Sequence, residues 1–218
     1  MKFKQLILIT GVERSGSTLI SRVLQLCEAN VGQTNKMREN VSLRALSKAT
    51  VNQLSEDCFM PTYKALATVS DWEKDVQYAL KDQTIPESMP FMYKDSQITQ
   101  LWKLWNEVYP NAKWIIVRRR TGDILHSLHE TAYMTRFKRK ANIQQIGASC
   151  EHEAWLWWVH EYEKRFRDMI SAGLNHRIVW PERMRDGDFE QMKEVVNWCG
   201  LNWNYSVEEI MKHLLNPK

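Results

Sequence analysis

The chain has 218 residues, of which 44% are hydrophobic and 26% are charged, the balance of an ordinary globular protein. This length allows one sizeable core and is short for two, so we expect a single domain over residues 1–218. The 30 basic and 26 acidic residues give a net charge of +4. That charge is too small for a nucleic-acid-binding protein but is compatible with local basic pockets for an anionic ligand.

The cysteines argue against a zinc site and against a disulfide-stabilised scaffold, because they form no CxxC or Cys/His cluster. They are Cys27, Cys58, Cys150 and Cys199. The apolar run Leu6–Ile9 is too short for the core of a signal peptide, and no run of about 18 apolar residues predicts a membrane span. We therefore expect a cytoplasmic protein with reduced thiols.

The N-terminal segment predicts a strand, a loop and a helix. The short run Leu6–Ile9 enters a turn at Gly11 and predicts a buried strand. The apolar residues that follow recur at helical spacing, at Leu19, Ile20, Val23, Leu24 and Leu26. Residues 36 to 84 carry helical patterns with polar interruptions, and residues 85 to 90 form a turn-rich break.

A second strand-and-helix unit begins with a helix over Trp102–Tyr109, which Pro110 ends. The β-branched run Trp114–Val117 is typical of a buried parallel strand. Three arginines end this strand, and Ile124–Glu130 has a helical pattern.

The C-terminal part begins with a long predicted helix, Glu151–Ala172. Its expected core face carries Trp155, Trp158, Tyr162 and Phe166. A third strand over Arg177–Trp180 and a helix over Met192–Cys199, ended by Gly200, follow. Strands that alternate with helices predict an α/β protein, a three-layer P-loop fold with a central parallel sheet flanked by helices.

The loop Gly11–Thr18 has the spacing GxxxxG[x][ST] of a phosphate-binding loop between a strand and a helix. Its glycines let the backbone approach an anion closely, with the dipole of the following helix behind the anion. The expected amide donors are those of Ser15, Gly16, Ser17 and Thr18. The alternative is a polar turn whose Ser and Thr cap the helix.

The same loop lacks the residue that a triphosphate requires. In P-loops that hydrolyse nucleoside triphosphates, a Lys follows the second glycine, whereas this chain has Ser17 there and its basic residue at Arg14. We therefore do not expect a triphosphate as the natural ligand.

A second candidate anion site lies at the end of the predicted strand Trp114–Val117. Arg119 follows this strand, and Ser127 comes two helical turns later, so that a guanidinium and a hydroxyl could meet one anion from two directions. Taken alone, a strand that ends in basic residues indicates a solvated edge of the sheet as readily as it indicates an anion site.

Together, these motifs resemble those of the sulfotransferase superfamily. The similar stretches are Gly11–Leu19 for its 5′-phosphosulfate loop, Arg119–Ser127 with Asp123 for its 3′-phosphate motif, Tyr93–Asp95 and Tyr109–Ile116 for the segments leading into that motif, and Trp180–Met184 and Trp198–Leu201 for its C-terminal segments. The resemblance implies sulfuryl transfer from 3′-phosphoadenosine 5′-phosphosulfate (PAPS) without a metal. It assigns donor binding to Arg14, Ser15, Gly16, Ser17, Thr18, Arg119 and Ser127.

Two departures from the family pattern are visible. Glu13 and Thr121 replace the usual prolines of the two motifs, and we expect the Glu13 carboxylate to turn away from the anion. The histidine that follows the lysine in the cytosolic aryl and steroid branch is missing, because Asp95 and Ser96 follow Lys94. That branch's catalytic base is therefore not transferable to this chain.

For catalysis, the resemblance implies that Arg14 stabilises the leaving oxygen and that Lys94 adds positive charge. Glu39 is the first candidate for the general base, because the tyrosyl-protein branch uses a Glu shortly after the first helix. His126 and His129 are rivals, since imidazole often serves as a general base.

The basic run Arg136–Lys140 is either a solvated surface loop or a mobile flap over the nucleotide or an acidic acceptor. The alternatives to a sulfotransferase are a P-loop kinase of nucleotides or metabolites, and a non-catalytic nucleotide-binding module of the same fold. The expected partners are the nucleotide donor and an acceptor, and the sequence leaves the acceptor and the oligomeric state open.

Overall fold

A computed structural model describes residues 3–55 and 59–215, with the side chains of 213–215 left aside. The strands, numbered in chain order, are β1 (Leu6–Gly11), β2 (Phe91–Lys94), β3 (Lys113–Val117) and β4 (His176–Val179). The helices are α1 (Ser17–Leu26), α2 (Val41–Leu54), α3 (Tyr63–Leu66), α4 (Trp72–Leu80), α5 (Gln97–Gln100), α6 (Trp102–Val108), α7 (Thr121–Glu130), α8 (Lys140–Gln145), α9 (Glu151–Ser171), α10 (Pro181–Arg185), α11 (Glu190–Trp198) and α12 (Val207–Leu215), with a 3₁₀ turn at Arg136–Lys138.

The strands form one sheet in the order β2-β1-β3-β4, and every neighbouring pair is parallel. In register, Ile9 of β1 lies between Lys94 of β2 and Ile115 of β3. The carboxyl ends of all the strands therefore meet at one edge of the sheet. The α/β fold with a central parallel sheet between helices, predicted from the sequence, is confirmed.

Alternate strand residues build a separate core on each face of the sheet, because successive side chains of a strand point to opposite faces. On one face Leu8 and Trp114 join the aromatic side of α9. On the other face Ile9 and Ile115 pack against apolar residues of α1 and α11. Fully burying one such side chain contributes about 1.5–3 kcal/mol, so the two cores hold the sheet and its helices in a fixed geometry.

Most of the predicted elements are confirmed with small shifts of their ends. The helix α9 runs over Glu151–Ser171, and its four expected core aromatics are at most 2% exposed. The helix α7 begins at Thr121, three residues before the predicted start. The strand β2 was not predicted: it has only four residues, follows Pro90 and ends in a lysine, so its apolar signal is weak.

Two further expectations concern cysteines and the membrane. Cys27, Cys150 and Cys199 are free thiols, and Cys58 lies outside the described residues. Within residues 3–55 and 59–215, no helix has the length and apolar character needed to cross a bilayer. The cytoplasmic location stays a prediction.

Candidate active site

The candidate site lies at the carboxyl edge of the sheet, where parallel α/β proteins bind their ligands. A cavity of about 450 Å³ opens there. Its lining includes Arg14, Ser17, Thr18, Glu39 and Lys94. The sheet therefore brings the predicted phosphate loop together with the candidate base and the candidate catalytic lysine.

The loop between β1 and α1 depends on its two glycines. A Cβ atom on Gly11 would lie 2.4 Å from the Ser15 Oγ and 2.6 Å from the Val117 carbonyl oxygen. Gly16 has φ +95°, a left-handed conformation that glycine adopts without strain, and Pro181 packs closely against it. Glycine at both positions thus allows a tight strand-to-helix turn beside the cavity.

The amide groups of this loop differ in one respect from the expectation. The Ser15 N–H donates to the Val12 carbonyl at 3.0 Å, closing the turn, so it is not directed to an anion. Ser17 and Thr18 lie in the first turn of α1, where backbone N–H groups have no acceptor within their own helix. The Ser15 Oγ is buried beside Gly11 and has no hydrogen-bond partner within the described chain.

Arg14 joins the two candidate anion sites. Its Nε donates to the Ser127 Oγ at 2.9 Å, and its Nη1 donates to the Tyr133 hydroxyl at 3.0 Å. Arg119 donates from Nη1 to the Arg14 carbonyl oxygen at 3.1 Å. The phosphate loop and the Arg119/Ser127 pair, separated by more than 100 positions in the chain, are therefore in direct contact.

The three consecutive arginines have different surroundings. Arg118 forms an ion pair with Glu163 and lies over the Trp180 ring, whereas Arg120 is exposed. In the part of the chain that the structure describes, Arg119 is the one of the three whose side chain donates a hydrogen bond to the loop, at the Arg14 carbonyl oxygen. Its assignment to the 3′-phosphate stays a prediction.

A carboxylate that sequence reasoning missed lies beside Arg119. Glu182 Oε1 is 3.6 Å from the Arg119 Nε, and both Glu182 carboxylate oxygens are buried without a hydrogen-bond partner in the described chain. Its place at the start of α10, next to the Pro181 that packs on Gly16, explains the proximity. The only signal in the sequence was the C-terminal stretch Trp180–Met184 itself.

Glu39 comes directly before Asn40. The Asn40 side chain caps the N-terminus of α2 by accepting a hydrogen bond from the Leu43 N–H. The Glu39 carboxylate binds the Lys94 Nζ at 3.1 Å through one oxygen and the Arg44 Nε at 2.6 Å through the other. Burial acts to raise the pKa of Glu39, but Lys94, a hydrogen bond from Asn35 and Arg44 together hold it below its ordinary value. The carboxylate is therefore ionised at neutral pH.

Asp95 is a further acidic group at the cavity, which Glu13 also lines, and no role was predicted for it. It is 3% exposed and accepts hydrogen bonds from the Tyr93 hydroxyl at 2.9 Å and the Gln97 N–H at 3.0 Å. Burial, followed by the negative charge of Glu39, raises the pKa of Asp95 to about 6. Two neighbouring carboxyl groups thus have pKa values displaced in opposite directions.

Glu13 faces α9. Its carboxylate accepts hydrogen bonds from the Trp158 Nε1 at 2.8 Å, the Ser96 hydroxyl at 3.0 Å and the Tyr162 hydroxyl at 3.4 Å. These bonds tether the phosphate loop to α5 and α9 where the family pattern has a proline.

The two rival histidines lie elsewhere. His126 is exposed on α7, and His129 stacks on His152 with 5.5 Å between ring centroids. Neither residue lines the cavity that holds Glu39 and Lys94. The structure therefore does not bring them together with the phosphate loop.

The basic run is only partly solvated. Phe137 is fully buried, and the Arg136 guanidinium lies 4.2 Å from the centroid of the Trp158 ring. Arg136 lines the main cavity and, with Arg139, a neighbouring cavity of about 400 Å³. The run is thus a folded wall shared by two cavities.

The carboxyl edge of the parallel sheet thus brings together a glycine-dependent loop, the first turn of α1 and several arginines, features that anion-binding α/β proteins share. Comparison with known proteins gives the family. Residues 6–205 match the sulfotransferase family, and the chain belongs to it. A Caenorhabditis briggsae protein named "Putative protein-tyrosine sulfotransferase" is 24% identical over 220 residues, covering 98% of this chain and 71% of that protein.

Proposed function

We propose that this protein transfers a sulfuryl group from PAPS to a hydroxyl or amine acceptor. The observation that carries the proposal is the contact between the two candidate anion-binding elements, in which Arg14 of the loop donates to Ser127 while Arg119 donates to the Arg14 carbonyl. A donor with one phosphate at its 5′ end and another at its 3′ position matches two adjacent sites better than a triphosphate chain does.

In this proposal the 5′-phosphosulfate lies on the loop. The amides of Gly16, Ser17 and Thr18 and the α1 dipole bind its phosphate. The 3′-phosphate lies against Arg119 and Ser127, where a guanidinium and a hydroxyl provide charge-assisted hydrogen bonds. The absence of a Lys at Ser17 disfavours the kinase alternative.

The reaction forms a bond between the acceptor oxygen or nitrogen and sulfur and breaks the bond from sulfur to the bridging oxygen, which keeps the electron pair. Arg14 stabilises the charge that grows on that oxygen. Glu39 accepts the acceptor's proton, and Lys94 holds Glu39 in place while adding positive charge. The products are the sulfated acceptor and adenosine 3′,5′-bisphosphate.

Thermal-shift measurements with adenosine 3′,5′-bisphosphate and with magnesium-ATP test the donor assignment. A ligand that binds only the folded state raises the melting temperature as its concentration exceeds its dissociation constant. We expect a clear shift with the bisphosphate and a weak one with ATP. An equal shift with magnesium-ATP would contradict the proposal and favour a kinase.

The C. briggsae relative is named as a protein-tyrosine sulfotransferase, so tyrosine hydroxyls are the first acceptors to test. Peptides that differ only in a single Tyr or Ser can be incubated with PAPS, and sulfated product measured by mass spectrometry. Bisphosphate binding without transfer to any hydroxyl or amine, and without donor hydrolysis, would instead favour the non-catalytic nucleotide-binding module.

A further inference from the structure

Tyr133 lies at the rim of the site in an ordered turn. It follows α7, and the residue is 55% exposed although it lines both cavities. Backbone hydrogen bonds from Met134 to Thr131 and from Thr135 to Tyr133 fix the turn, and the Thr131 hydroxyl donates to the Ser127 carbonyl. The turn that carries Tyr133 is therefore anchored to the helix that carries Ser127.

The two partners of the Arg14 guanidinium are neutral hydroxyls. Ser127 accepts from Nε and Tyr133 accepts from Nη1, and among the described residues no carboxylate forms an ion pair with Arg14. The side chain is thus held without neutralisation of its charge. A guanidinium has five N–H groups, so three remain available to an anion in the cavity that Arg14 lines.

Both hydroxyls also keep their own hydrogen. A hydroxyl has one donor and two acceptor positions, so Ser127 can accept from Arg14 and at the same time donate to a phosphate. Binding of the donor therefore does not require Arg14 to leave its partners. The Arg14 side chain, which would otherwise lose considerable rotamer freedom on binding, is already oriented.

We infer that Tyr133 is a positioning residue for sulfuryl transfer: its hydroxyl, together with Ser127, orients the Arg14 guanidinium towards the oxygen on which charge develops. This inference rests on the proposed function. Tyr133 acts through Arg14, so its loss changes turnover more than binding of the donor.

The test compares Tyr133→Phe with a control, Tyr78→Phe, which removes the hydroxyl of a tyrosine that is 70% exposed on α4. We expect Tyr133→Phe to lower kcat about tenfold, the scale of one hydrogen bond to a charged group, with the KM for PAPS changed less than about threefold. In an Arg14→Ala background, the same change should have no further effect on kcat. The inference is overturned if Tyr133→Phe alone leaves kcat unchanged. It is also overturned if Tyr133→Phe lowers kcat as much in the Arg14→Ala variant as in the native chain.

A second measurement does not depend on turnover. Phenylglyoxal modifies arginine side chains, and peptide mass spectrometry measures its rate at Arg14. Tyr133→Phe removes the hydrogen bond from Arg14 to the Tyr133 hydroxyl and should raise the modification rate at Arg14 by about threefold. Tyr78→Phe should leave that rate unchanged. An unchanged rate at Arg14 overturns the inference even if the protein transfers sulfuryl groups. A raised rate in a protein that neither binds the bisphosphate nor uses PAPS supports the Tyr133 contact and contradicts the proposed function.

Discussion

The Lys94 Nζ and the Glu39 Oε1 lie 3.1 Å apart in an ion pair whose lysine side chain is 5% exposed. Such a pair is costly to break because the remaining charge stays buried. It also places the candidate base at the cavity in its ionised form, since the pKa of Glu39 is lowered. This pair provides the most direct test of the chemistry.

We predict that Glu39→Gln lowers the rate of sulfuryl transfer by about two or more orders of magnitude, the scale of a lost general base. Affinity for adenosine 3′,5′-bisphosphate should change little, because the loop amides, Arg119 and Ser127 are unaffected. Steady-state kinetics and calorimetry measure the two quantities. The His126→Ala variant provides the comparison: if it loses the activity while Glu39→Gln keeps it, the base assignment is wrong.

The raised pKa of Asp95 predicts a pH-dependent stability. Its pKa is 3.8 ordinarily and about 6 in the folded protein, so the folded state binds this proton more tightly than the unfolded state. The ionised carboxylate therefore destabilises the fold increasingly as pH rises from about 4 to 6. Asp95→Asn should remove this effect.

The unfolding free energy of Asp95→Asn, relative to the native chain, should accordingly rise by about 2–3 kcal/mol between pH 4 and pH 7. Urea unfolding of both proteins at each pH measures the difference. A difference that stays constant over this range would mean that Asp95 has the same proton affinity in both states.

Arg119→Ala should weaken binding of adenosine 3′,5′-bisphosphate by about 2–4 kcal/mol, because the guanidinium pairs with a desolvated phosphate in the proposed complex. Arg120→Ala is the matched control, since its side chain is the exposed neighbour. Calorimetry on the two variants compares the affinities. If Arg120→Ala proves the weaker binder, the register of the 3′-phosphate motif is wrong by one residue.

Local patterns predicted much of this fold and less of the site. The β-branched run of β3 and the aromatic face of α9 were identified from the sequence because burial leaves a periodic signal. The strand β2 was missed because it ends in Lys94, whose burial depends on Glu39, a residue 55 positions away. No hydrophobic pattern reports such a partner.

Among the site residues, too, those that belong to a local sequence motif were predicted, and those identified only by contacts between distant parts of the chain were not. Gly11 and Gly16 followed from the loop spacing, and Arg119 and Ser127 from a second motif. The contacts of Glu182 with Arg119 and of Tyr133 with Arg14 could not be predicted, since they join distant parts of the chain across the carboxyl edge of the sheet. His126 appeared as a candidate from its residue type alone, and the exposed face of α7 separates it from the cavity.

Arg14 gives the last prediction, because its guanidinium is held beside the cavity by Ser127 and Tyr133. Charge appears on the bridging oxygen only as the sulfur–oxygen bond breaks, so an interaction with that oxygen affects turnover more than ground-state binding. Arg14→Ala should lower the rate by about two or more orders of magnitude, as when one oxyanion donor is removed.

Donor affinity should fall less in Arg14→Ala, because the amides of Gly16, Ser17 and Thr18 remain. Arg14→Lys should recover part of the rate, since an ammonium can still contact one oxygen although it lacks the planar fork that binds Ser127 and Tyr133 together. Hydrolysis of PAPS by water can report the rate before an acceptor is identified, with bisphosphate binding measured by calorimetry alongside. An Arg14→Ala variant with unchanged turnover would exclude Arg14 from the chemistry and leave it as a link between the loop and α7.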